Sequence, residues 1–83
     1  MFFFKSKYEH ELDEIIREID MNMSNNYKDA AQQNLVRLEM RFNEMVKDGL
    51  LKVKAKAAYE TKLNGYKSRM KGYTHRDQNT LWN

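Results

Sequence analysis

One apolar stripe in the middle of the chain limits the fold more than any other feature of the sequence. Between residues 27 and 45, apolar side chains recur at steps of four, four, three, four and three residues. They are Tyr27, Ala31, Leu35, Leu38, Phe42 and Met45. This spacing places them on one face of an α-helix. A helix of about 20 residues cannot cover such a face alone, so other segments must supply matching faces.

The segments on either side carry stripes of the same period. The N-terminal stripe consists of Tyr8, Leu12, Ile15, Ile16, Ile19 and Met23. The C-terminal stripe consists of Tyr59, Leu63, Tyr66, Met70 and Tyr73. The absence of proline and the presence of only three glycines also favour helix throughout the chain. The sequence therefore predicts three amphipathic helices.

Local signals give the ends of the first two helices. Ser6 followed by Glu9 fits a capping box, so the first helix is expected to start there. Asn25 and Asn26 are typical turn residues, and either one is a candidate N-cap for the second helix. The second helix is expected to end near Gly49, which can adopt a positive φ.

The third helix has weaker boundary signals. It is expected to begin near Lys52 without a strong N-cap and to end at Gly72. Asn64 and Gly65 interrupt it with a dipeptide that also forms hairpin turns. The helical period on both sides favours a continuous helix, although a break there remains the alternative.

These patterns predict one all-α domain of 83 residues. Short connections make neighbouring helices antiparallel, which gives an up-down-up three-helix bundle. The predicted helices are residues 6–25, 26–48 and 52–72, with residues 1–5 and 74–83 as extended or frayed ends. The alternative is a hairpin of the second and third helices, completed by the first helix of another chain in a dimer.

The net charge of +3 hides an uneven distribution of charge along the chain. Residues 5–20 are rich in acidic groups, whereas residues 52–71 carry seven basic side chains against Glu60 alone. Acidic flanks of helix 1 are therefore expected to face basic flanks of helix 3. The acidic flanks are Glu9, Glu11, Glu18 and Asp20, and the basic flanks are Lys56, Lys62, Lys67, Arg69 and Lys71.

No residue pattern points to catalysis or to a cofactor. His10, Asp13 and Glu14 lie three and four residues apart and so share a helix face, which is the minimum for a divalent metal site. Because no second cluster accompanies them and cysteine is absent, a solvated polar face is the better interpretation. We predict no metal, no cofactor, no small-molecule substrate and no enzymatic activity.

The preferred functional hypothesis is a non-catalytic module that binds another protein or a second copy of itself, or has a structural role. No segment has the apolar length of a signal peptide core or a membrane span, so the cytoplasm is the expected location. The apolar groups outside the stripes are the candidate contacts, although Phe2–Phe4 beside Lys5 and Lys7 also fit a weak anchor at a membrane surface. These groups are Phe2, Phe3, Phe4, Leu50, Leu51 and Trp82.

A non-specific nucleic-acid binder is the alternative function. The basic third helix would contact phosphates through Lys52, Lys54, Lys56, Lys67, Arg69 and Lys71. Tyr59, Tyr66 and Tyr73 lie among these residues and have rings that stack on bases in other proteins. They also lie on the apolar stripe, which favours a place in the core.

The hypothesis of an apolar contact at the start of the chain gives a direct test. Replacing Phe2 and Phe4 by serine should weaken association without unfolding the bundle, because neither residue belongs to a stripe. Light scattering measures the association, and circular dichroism measures the fold. A double variant that stays as associated as the wild type would remove these residues from the interface.

Overall fold

A computed structural model of the protein describes residues 5–71, and these form three α-helices. They are α1 (Lys7–Ser24), α2 (Lys28–Lys47) and α3 (Val53–Arg69). The prediction of an all-α fold with three helices is confirmed. Of the predicted chain ends, only Lys5 belongs to the described residues. Gly72, the predicted end of the third helix, also lies outside them. None of the three helices is long and apolar enough to cross a membrane.

The turn between α1 and α2 differs from the prediction in one respect. Ser6 starts α1 as predicted, since its Oγ accepts a hydrogen bond from the Glu9 N–H at 3.2 Å. Asn26, however, does not cap α2. Its φ of 63° is left-handed, whereas an N-cap residue is extended. Tyr27 is the N-cap instead, and its side chain is 60% exposed, so the prediction that Tyr27 belongs to the buried stripe is wrong.

The turn between α2 and α3 follows the sequence signals closely. Gly49 has a φ of 69° directly after the C-cap Asp48, as expected of a helix-ending glycine. Lys52 is the N-cap of α3 and makes no side-chain capping bond. Gly65 lies inside α3, so the helix is continuous and the alternative of a break is wrong.

One core joins the three helices, and it contains most of the three predicted stripes. Each helix contributes four side chains, if Met70 at the C-cap of α3 is counted with that helix. The buried residues are Leu12, Ile15, Ile16, Ile19, Ala31, Leu38, Phe42, Met45, Tyr59, Leu63, Tyr66 and Met70. Tyr8, Met23 and Leu35 are partly buried against this core, whereas Tyr73 lies outside the described residues.

Two hydrogen bonds fix the relative direction of α1 and α3. The Tyr59 hydroxyl bonds to Asp13 Oδ1 at 2.7 Å, and the Tyr66 hydroxyl bonds to Asp20 Oδ1 at 2.6 Å. The earlier tyrosine bonds the earlier aspartate, and both pairs are seven residues apart, so α1 and α3 run parallel. This confirms the up-down-up order. In the hairpin alternative the first helix completes another chain's bundle, but here α1 fills that place within its own chain.

The prediction that Glu11, Glu18 and Lys67 pair between α1 and α3 is wrong. Glu11 of α1 pairs with Arg41 of α2, and Glu18 lies 3.6 Å from Arg37, also on α2. Lys67 of α3 reaches Glu39 of α2 at 2.9 Å. One charged edge of each helix therefore faces α2, while tyrosine hydroxyls and aspartates occupy the contact between α1 and α3.

The two glycines of the described chain give opposite predictions. A methyl group at Gly65 meets no atom within 4 Å, so Gly65→Ala should raise the free energy of unfolding by about 1 kcal/mol through helix propensity. Gly49→Ala is the matched control. Space is equally open there, but the positive φ should make the same change destabilising. Urea denaturation measures both, and a destabilised Gly65→Ala would contradict the continuous helix.

Candidate functional site

The predicted apolar contact residues do not form one described site. Leu51 is partly buried and packs against the core. Leu50 beside it is 36% exposed. Phe2, Phe3, Phe4 and Trp82 lie outside the described residues, and their proposed role stays a prediction.

The predicted basic residues of α3 separate into two groups. Lys52, Lys54 and Lys56 lie exposed at its N-terminal end, and the other three lie at its C-terminal end, about 20 Å away. The C-terminal group is partly engaged within the protein. Lys67 donates to Glu39, and the Arg69 guanidinium lies 4.6 Å from the centre of the Tyr66 ring. The six residues are therefore not one uniform cationic face.

The tyrosines of α3 belong to the core, as their place on the stripe predicted. Tyr59 and Tyr66 are only 5% and 6% exposed, so their rings are not free to stack on bases. Burial, followed by the hydrogen bond to Asp20, raises the pKa of Tyr66 to about 12. Burial and the bond to Asp13 raise the pKa of Tyr59 in the same way. Both hydroxyls therefore stay protonated donors in the folded protein.

Asp13 corrects the interpretation of the His10, Asp13 and Glu14 face. Its carboxylate accepts hydrogen bonds from both Tyr59 and Lys5, so it lies in the contact with α3 rather than on a solvated face. Burial alone raises its pKa. The bonds from Lys5 and Tyr59, with the positive charges of Lys5 and Lys62, outweigh burial and hold the pKa below its usual value. Glu14 pairs with Arg17 at 2.6 Å.

Arg41 is a structural residue that the sequence analysis did not single out. It lies on α2 and binds Glu11 of α1 through two guanidinium nitrogens, one of them at 2.9 Å, while a third bonds to Glu44. The hydrogen bond from Arg41, followed by its charge, lowers the pKa of Glu11 against the opposing effect of burial. Within residues 5–71 no group of three or more His, Asp or Glu side chains is placed to hold a metal ion.

A groove between α2 and α3 is a concave surface among the described residues. Leu35 and Val36 of α2 form one wall, and Met70 at the end of α3 forms the other. Gln32, Glu39, Lys67 and Lys71 complete the lining. Its volume is about 290 Å³, which is at the lower limit of small-molecule pockets. The groove is thus lined by three apolar and four polar or charged residues.

The sequence explains why this groove stays open. Leu35 and Val36 are adjacent and therefore point about 100° apart on α2. Leu35 reaches the core, whereas Val36 remains 58% exposed beside it. Met40, one helical turn further along α2, is also 58% exposed. Val36 and Met40 were not among the predicted contact residues, because the core stripe alone was read as the apolar face of α2.

The tyrosine hydrogen bonds predict an alkaline limit to stability. A tyrosine whose folded pKa lies above the ordinary value of 10 stabilises the fold fully below pH 10, and this contribution is lost as the pH rises through the folded pKa. At neutral pH, Tyr59→Phe and Tyr66→Phe should each lower the free energy of unfolding by about 1 kcal/mol. Denaturant titrations from about pH 8 to about pH 11 should show the gap between wild type and the double variant closing. A gap that does not change with pH would contradict the two bonds.

Comparison with protein-family models, with curated proteins and with solved structures finds no match to this chain.

Proposed function

We propose that the protein is a non-catalytic helical module of the cytoplasm that binds another protein through the groove between α2 and α3. The observation that supports this is a groove where two helices meet, lined by the partly buried Leu35, the exposed Val36 and the buried Met70. Exposed apolar surface between helices is where helical partners bind in many complexes.

The size and chemistry of the groove favour a side chain of a protein over a metabolite. At about 290 Å³ it has room for one or two apolar side chains, whereas pockets that enclose a whole small molecule run to about 1,000 Å³. Four of its seven lining residues are polar or charged, and the other three are apolar. An apolar core with a polar rim is the common arrangement of protein interfaces.

The surface next to the groove is also suited to a helical partner. Val36 and Met40 are four residues apart, so they form a short apolar row along α2. Lys71 makes no ion pair with the described residues, which leaves its charge available at the rim. We infer a partner helix that offers apolar side chains to the groove and an acidic side chain to Lys71.

The alternative of a non-specific nucleic-acid binder has less support. Tyr59 and Tyr66 are buried, and Lys67 is already paired with Glu39. The remaining exposed lysines are compatible with phosphate contacts, which would be strongly dependent on salt.

A charge placed on the groove wall tests the proposal. Val36→Glu should reduce partner binding at least tenfold, because a carboxylate there loses its water when an apolar side chain covers it. The fold should be unaffected, since Val36 is mostly exposed. Gln33→Glu is the matched control, as it adds the same charge to an exposed position of α2 that does not line the groove.

Light scattering at low and high salt comes first and compares the mass in solution with the 10.0 kDa of one chain. If the wild type is a dimer that Val36→Glu dissociates, the partner is a second copy. If it is a monomer, chemical cross-linking in the native cell should enrich a protein that Val36→Glu loses and Gln33→Glu retains. A dimer or a cross-linked partner that survives Val36→Glu would overturn the groove as the binding surface.

A further inference from the structure

A second surface lies at the opposite end of α3 from the groove. It comprises Lys47 at the end of α2, the turn that follows, and the first residues of α3. We call it the basic tip and define it as Lys47, Leu50, Lys52, Val53, Lys54 and Lys56. All six side chains are exposed, and Val53 is 85% exposed.

In and beside the basic tip, partly buried and exposed apolar side chains alternate along the sequence. Leu51 and Ala55 are partly buried against the core and hold the turn in place. Val53 lies between them in sequence and points to solvent, and so does Leu50 to the extent of 36%. Leu51 and Ala55 therefore fix the tip to the core, while Val53 and Leu50 remain exposed to solvent.

The lysines of the tip have no ionic partners among the described residues. Lys47, Lys52, Lys54 and Lys56 make no ion pair there, whereas Arg17, Arg37, Arg41 and Lys67 elsewhere on the bundle are all paired. Asp48 is the single acidic residue within residues 47–56. The tip thus has positive charge that is not neutralised within the described chain.

Stability does not account for this arrangement. The start of a helix favours acidic side chains, and Glu9 and Asp29 occupy the first turns of α1 and α2. The first turn of α3 has no acidic residue and carries lysines instead. Val53 likewise exposes most of its apolar surface to water.

We propose that the basic tip binds the surface of an anionic lipid bilayer. Lysines attract the negative lipid headgroups, and Val53 and Leu50 enter the boundary between headgroups and acyl chains. Stable binding at a membrane surface needs two weak signals together, and the tip combines an apolar and a polybasic one. A nucleic acid would use the lysines but offers no apolar layer for Val53, which is why a bilayer is favoured.

The test measures partition of the full-length protein onto vesicles, by co-sedimentation at low salt. Binding is expected to vesicles rich in phosphatidylserine and not to vesicles of phosphatidylcholine alone, and to fall as salt screens the charges. Lys54→Glu should reduce the partition coefficient at least fivefold, given the worth of one basic residue near an anionic surface. Val53→Ser should reduce it about tenfold.

Two matched controls separate the tip from general charge and hydrophobicity. Arg17→Glu makes the same charge change on α1, and Met21→Ser removes an exposed apolar side chain, and both positions lie outside the tip and the groove. Neither should change vesicle binding by more than about twofold, since neither side chain belongs to the tip. Circular dichroism should show all four variants folded, because each position is exposed.

Three outcomes would overturn the proposal. The first is wild-type binding to phosphatidylserine vesicles that is no stronger than to phosphatidylcholine. The second is a loss with Arg17→Glu equal to the loss with Lys54→Glu, which would indicate net charge alone. The third is binding of duplex DNA that is as tight as vesicle binding and that Val53→Ser does not change. This result would indicate that the lysines bind nucleic acid. None of these results bears on the groove, which Val36→Glu tests separately.

Discussion

The position of α3 against α1 depends on two hydrogen bonds between tyrosine hydroxyls and aspartate carboxylates. The pairs Tyr59–Asp13 and Tyr66–Asp20 join the same step of seven residues on each helix, so they set both direction and register. The rings fill the core while the hydroxyls reach its edge, where each carboxylate accepts the bond. A slip of one residue would take both hydroxyls away from their acceptors and expose apolar surface at the same time.

This register also decides what remains on the surface. One charged edge of α1 and one of α3 face α2, where Arg41 and Glu39 meet Glu11 and Lys67. Exposed ion pairs of this kind contribute little to stability, but they neutralise charges that would otherwise attract partners. The cations left over lie mainly at the two ends of α3: the tip at its start and Lys71 beside the groove at its end. The two proposed contacts are thus separated by about the length of α3, so one molecule can engage both.

Much of the fold could be predicted from residue spacing because helical periodicity is a local property. The stripes predicted every buried residue, and Gly49 ended α2 as expected. The N-cap prediction for Asn26 was wrong because asparagine is common both at N-caps and in left-handed turns. Only the backbone angle separates the two. The candidate surfaces were less accessible to prediction. Val36 and Met40 fall outside the stripe, and nothing local distinguishes an exposed valine beside a groove from one on a plain helix face.

The sequence by itself determined the number of helices, the residues of their buried faces and the excess of lysine at the start of α3. Each of these depends on the identity and spacing of neighbouring residues. Only the tertiary structure decided which charges are paired, that Asp13 bonds Tyr59, and that Val36 lines a groove with Met70. These depend on the angle at which each helix edge meets its neighbour. Tight packing of side chains contributed by all three helices sets that angle, and the period of one helix does not contain it.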